Sequence, residues 1–131
     1  MTDFMADFGP MLNDNGYNII PVAKGTKRPA LSNWSRIITT GEVVAIDIDV
    51  CDKHVTNAIV KYCNKNIGKG LGRIGKAPKA LLLFRTDTPM SKSVSAKFSD
   101  ADGNTNCIEI LGKGQQLVAY GIHPETKEEY R

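Results

Sequence analysis

A chain of 131 residues, 41% hydrophobic and 24% charged, is long enough for one domain with a real core and too apolar to remain disordered. It has no apolar run near the ~20 residues that cross a bilayer, and Asp3 and Asp7 interrupt any basic-then-apolar leader, so a cytoplasmic protein with no membrane partner is expected. A net charge of +3 excludes a strongly basic nucleic-acid binder, and three cysteines with no C-x-x-C pair exclude a disulfide scaffold.

In chain order, Thr2 and Asp3 can cap a first helix running to about Asn15, with Phe4, Phe8, Met11 and Leu12 along one face and Pro10 placed to kink or divide it. Gly16 stops that helix, and Tyr17 to Val22 reads as a strand with Pro21 near its end. A loop from Ala23 to Asn33 leads to the single tryptophan, Trp34. Val43 to Val50 is the strongest strand of the chain, and Asp52 or Asp49 can start a helix from Lys53 to Asn66 with Val55, Ile59, Tyr62 and Cys63 along its inner side. Glycines 68, 70 and 72 break that helix. Ala80 to Arg85 reads as a strand, Ser91 to Asn106 as loop, Cys107 to Leu111 as a strand, and Gln115 to Tyr120 as a last strand in a hairpin with it. Interspersed helices with short turns between the late strands predict a single α+β domain over residues 1–131, a mixed or antiparallel sheet with helices packed on one face.

The strand at Val43 to Val50 carries the chemistry. Period-2 alternation sends Asp47 and Asp49 to one side and Ile46, Ile48 and Val50 to the other. Two adjacent carboxylates repel and resist desolvation unless a cation joins them, and a divalent metal is the usual one; a wet sheet face, or a helix cap, is the plain alternative. Glu109 similarly interrupts aliphatic neighbours, between Ile108 and Ile110. Three such acids on one sheet face can hold Mg²⁺ or Mn²⁺ for phosphoryl or nucleotidyl transfer. Cations flank them in the sequence: Lys24, Lys27 and Arg28 before the first acids, then Lys69, Arg73, Lys76, Lys79 and Arg85, then Lys92 and Lys97. Neither a P-loop nor a G-x-G-x-x-G is present. Cys51-x-x-His54 lacks the companion spacing of a zinc knuckle.

Taken in order, Asn18-Ile-Ile-Pro-Val, Gly25-Thr-Lys-Arg-Pro-Ala with Trp34, Ile46-Asp-Ile-Asp-Val, Arg73-Ile-Gly-Lys-Ala-Pro-Lys, Ile108-Glu-Ile-Leu-Gly and Gly121-Ile-His-Pro-Glu-Thr with Tyr130 resemble the prim-pol branch of the archaeo-eukaryotic primase superfamily, of phage and prophage type. The resemblance implies an RNA-recognition-like catalytic core that makes primers from nucleoside triphosphates on a single-stranded or primed DNA template, in a bacterial host and encoded by a phage or mobile element. It implies Asp47, Asp49 and Glu109 as catalytic metal ligands for Mg²⁺ or Mn²⁺. It also implies His123 near the nucleotide, and a chain that in relatives often continues toward a helicase domain.

Two departures accompany it. Lys79 stands where the family usually has a Ser-x-His contact, which suggests Arg73 and Lys79, with Lys76, as the phosphate clamp. The Trp34 to Gly41 connection is short where relatives insert a helix and a strand, so the core is a shortened one. Lys27, Arg28 and Lys92, with Trp34 as a stacking ring, are the candidates for template contact. The leading expectation is a template-dependent nucleotidyltransferase. A shortened nucleotide- or nucleic-acid-binding module of a replication protein is the alternative, and a metal-dependent nuclease comes third.

Overall fold

The computed structural model describes residues 4–30 and 41–131. Trp34 and the capping pair Thr2 and Asp3 lie outside the described residues. The elements are α1 (Phe4–Asp14), β1 (Val43–Asp49), α2 (Lys53–Asn66), β2 (Leu71–Arg73), β3 (Ala80–Arg85), β4 (Ser93–Val94), β5 (Phe98–Ser99) and β6 (Thr105–Leu111). They form an α+β fold around a six-stranded antiparallel sheet of order β2-β3-β1-β6-β4, with β5 also paired to β6.

The β-branched run of β1 puts it at the centre of the sheet, between β3 and β6. Its even-numbered residues form one face: Ile46 opposes Leu82 and Ile110, and Ile48 opposes Ala80 and Ile108. Onto that face packs α2, giving a core of Ile48, Val50, Cys63 and Leu82, with Ile46, Ile59, Val60, Phe84 and Ile108 packed against it. Each fully buried aliphatic side chain there stabilises the fold by roughly 1.5–3 kcal/mol.

Asp52 starts α2, its carboxylate accepting the backbone N–H groups of His54 and Val55 at 2.7 and 2.9 Å. The inward stripe of the helix runs through Thr56, Ile59, Val60 and Cys63, whereas Val55 and Tyr62 are exposed, a correction of the expected face. The Thr56 hydroxyl donates to the Val50 carbonyl at 3.2 Å, which turns that side of the helix toward β1.

Two expected strands do not form. Tyr17 to Val22 holds a single bridge, Val22 with Pro29; Pro21 has no N–H, and its carbonyl instead accepts from Ala30 across a tight loop. Gln115 to Tyr120 is not a strand, because both edges of β6 are taken, by β1 on one side and by β4 and β5 on the other. Tyr120 instead stacks on Phe8 of α1, ring centroids 4.5 Å apart. Three short strands, β2, β4 and β5, arise where loop was expected. Helix α1 is continuous through Pro10.

After Gly121 the chain folds back on itself. His123 N–H donates to the Glu128 carbonyl and Tyr130 N–H to that of Gly121, and the returning limb is tied to the end of β2 by Arg131 N–H to the Ile74 carbonyl at 3.0 Å. This hairpin carries His123 and Tyr130, both buried, to the odd-numbered face of the sheet.

Candidate active site

That second face holds the acids. Direct cross-strand partners in an antiparallel pair point the same way, and one row across the sheet reads Arg73, Leu81, Asp47, Glu109, Val94. Asp49 lies in the next row with Cys107 as its partner on β6, and extending the β1–β3 register by one residue sets Lys79 on its other side. Asp47 and Glu109 are thus directly opposed like charges, an arrangement that destabilises a sheet unless something cationic answers it. Burial raises the Asp47 pKa above the ordinary carboxylate value, and Asp49 and Glu109 raise it further, against the lowering pull of Arg73 and Lys27. Burial and then the same acids, Asp49 first, push the Cys107 thiol up as well.

Beside the aspartates lies a cleft of about 230 Å³. Its floor is Asp47 and Asp49. Its walls are Lys27 from the loop before β1, Arg73 at the end of β2, Lys76 and Lys79 from the loop into β3, and His123 and Glu125 from the terminal hairpin. Seven of the site residues expected from sequence therefore meet at one place. Glu109 and Lys92 stand outside the cleft and face each other, Lys92 Nζ lying 3.5 Å from Glu109 Oε1. Arg28 is exposed and does not line the cleft.

Ion pairs hold two of the cleft lysines. Lys79 Nζ is 2.5 Å from Asp49 Oδ1, and Lys76 Nζ is 2.6 Å from Glu125 Oε2. The hydrogen bond to Asp49 raises the Lys79 pKa, and that to Lys76 lowers the Glu125 pKa. Arg73 lies over the Tyr130 ring, 4.6 Å from its centroid, and burial lowers the guanidinium pKa while Tyr130 and Asp47 oppose the shift. His123 packs edge-on against the same ring at 5.4 Å. Its Nδ1 accepts the backbone N–H groups of Glu125 and Thr126 at 3.2 and 3.3 Å, which leaves Nε2 to carry the proton. Burial, and then Lys27, hold the imidazole below its usual pKa, in the neutral form.

Gly75 makes this packing possible. A Cβ there would stand 2.3 Å from Tyr130 Cε1 and 2.9 Å from His123 Cδ2, so no other residue lets the two rings close over the loop.

Among the described residues, no group of three His, Cys, Asp or Glu side chains is placed to hold a metal ion. The donor set nonetheless suits a hard divalent cation: two carboxylates share a face, and Asp47 carries a raised pKa that a nearby cation would reverse. Mg²⁺ is commonly held by one or two carboxylates and completed by substrate phosphates and water. Asp47 and Asp49 fit that kind of site, not a self-contained protein cage.

Glu125, Gly75 and Tyr130 stand within the motifs quoted above, but the pairing of Glu125 and the packing roles of the other two were not legible in the sequence. An exposed acid in a turn carries no local signal, and the partner that gives Glu125 its place, Lys76, is 49 residues away. Comparison of the chain with family models, curated proteins and solved structures gives no match in any of the three.

Proposed function

We propose that the chain is a nucleotidyltransferase domain of primase–polymerase type, which extends a strand on a DNA template from nucleoside triphosphates. The observation that carries this reading is the register of Asp47 against Glu109, with Asp49 on the same face, next to a cleft walled by Lys27, Arg73, Lys76, Lys79 and His123. Acids alone would suit a metal site of many kinds. Acids beside four cations suit a metal together with a polyphosphate.

In this reading Asp47 and Asp49 supply the oxygen ligands for Mg²⁺ or Mn²⁺, with Glu109 completing the acid row. When bound, the ion polarises phosphoryl oxygens and lowers the pKa of the attacking hydroxyl. Arg73, preoriented on Tyr130, and Lys79 neutralise phosphate charge as it builds up, and the Nε2–H of His123 donates to a phosphate or sugar oxygen. The neutral imidazole serves as a fixed donor here, its Nδ1 being held by two backbone N–H groups.

One observation favours a second reading. Glu109 is held by Lys92 and does not line the cleft, so a domain that binds metal and nucleotide without transferring it suits this arrangement as well. A primed template with labelled nucleotide and Mn²⁺ separates the two. Extension is expected, and Asp47→Ala is expected to reduce it at least ~100-fold, a loss of transition-state charge stabilisation. Triphosphate binding without extension by the native chain would establish the binding-only reading, and shortening of the labelled strand would establish a nuclease.

A further inference from the structure

Lys79 occupies the place on Asp49 that a bound cation would need. Its Nζ lies 2.5 Å from Asp49 Oδ1, where a cation bound to that carboxylate would meet a like charge. Lys79 stands immediately before β3, next to the Ala80 that pairs with Ile48, and its side chain is about a third exposed, with a flexible four-carbon stem that lets the ammonium swing within the cleft. Four cations, Lys27, Arg73, Lys76 and Lys79, face three carboxylates, Asp47, Asp49 and Glu125. A polyphosphate entering alone meets two aspartates on the floor, and a divalent cation entering alone meets Lys79. Arriving together, the cation takes Asp49 and the phosphates take the displaced lysine, so that each ligand meets a group of opposite sign.

We infer that Lys79 is an exchange residue, moving from the Asp49 carboxylate to a phosphate oxygen and so coupling cation binding to polyphosphate binding. The inference rests on Asp49 being a cation ligand, as in the function proposed above. Coupling of this kind is reciprocal, each ligand strengthening the other by the same factor.

Removing Lys79 therefore has opposite effects on the two ligands. Lys79→Met is expected to bind Mn²⁺ alone about fivefold more tightly, read by water-proton relaxation, because Asp49 no longer has a competitor. It is expected to bind the preformed Mn²⁺–triphosphate complex about fivefold more weakly, read by calorimetry. Inorganic triphosphate and a deoxynucleoside triphosphate should show the same loss, since Lys79 reaches only the phosphate tail that they share. A loss confined to the nucleotide would place Lys79 on the nucleoside and overturn the exchange.

Lys76→Met removes the same charge from the same cleft but from a different partner, Glu125, which is not one of the proposed cation ligands, and is expected to change Mn²⁺ affinity by less than about twofold. If Lys79→Met behaves like Lys76→Met, the exchange is wrong while the site stands. If Asp49→Asn leaves Mn²⁺ binding intact, the site itself is wrong, and the function proposed for it fails with it.

Discussion

Asp47 bears the tension of the site. It is placed on a central strand, opposite one acid and two residues from another, and burial together with those acids holds its pKa above the ordinary value. A carboxyl whose folded pKa is raised takes its proton more readily in the folded state than in the unfolded one. Below the unfolded value near 3.8 both states are protonated and no penalty exists. As pH rises through the interval up to the folded pKa the penalty grows, and above it the penalty is constant. Asp47→Asn is therefore expected to raise the melting temperature by roughly 2–4 °C at pH 7 and to leave it unchanged near pH 3, measured by calorimetry at both values. Equal shifts at both pH values would mean that the gain comes from packing and not from charge. Asp49, beside it, has its own cation in Lys79. Alternation in the sequence was enough to put both aspartates on one face. Which of them is ion-paired depended on the β3 register, which local pattern does not encode.

The terminal hairpin is the element that turns a flat acidic sheet face into a cleft. It has little apolar surface of its own, and its position depends on three things: the Arg131 to Ile74 pairing, the Thr126 hydroxyl donating to the Gly75 carbonyl at 3.4 Å, and the closure of the Tyr130 and His123 rings over Gly75. Gly75→Ala inserts a methyl where no space exists. The expected cost is about 1–3 kcal/mol in urea unfolding. Hydrogen exchange should show the amides of His123 and Tyr130, which bond across the hairpin, losing protection before those of β1. Protection lost evenly over the sheet would show that the hairpin is not a separable element. The chain just after β1 is secured differently: Asn106, fully buried, accepts the Cys51 N–H at 2.7 Å and donates to the Asn104 carbonyl, fastening the β5–β6 turn to the start of α2. In the sequence Asn106 looked like the end of a polar loop. Its role depends on a residue 55 positions away.

At the scale of the molecule, charge of both signs gathers on one side of the sheet while the other side is given to α2 and the core. A net charge of +3 is too small for tight, non-specific binding of a nucleic acid. What the proposed function requires is a weak, local contact. Binding of a labelled single-stranded oligonucleotide, followed by fluorescence anisotropy, is expected to weaken with salt at a slope of about −2 to −3 in log–log form, the signature of three or four phosphates neutralised. A slope near zero would remove the template from the list of partners. Among the described residues no helix is long and apolar enough to cross a membrane.

By itself the sequence determined β1, α2, β3 and β6 with nearly their observed limits, the α+β class, the three free thiols and the shared face of Asp47 and Asp49. These follow from periodicity, capping and β-branching, all of which act within a few residues. Only the tertiary structure decided that Gln115 to Tyr120 has no sheet edge left to join and that Asp47 faces Glu109 across the ladder. It also decided that Lys79 and Lys76 pair with acids from other elements. Each of these is a choice between distant partners competing for one edge or one charge, and such a competition is settled by the assembled sheet, where local propensity has no vote.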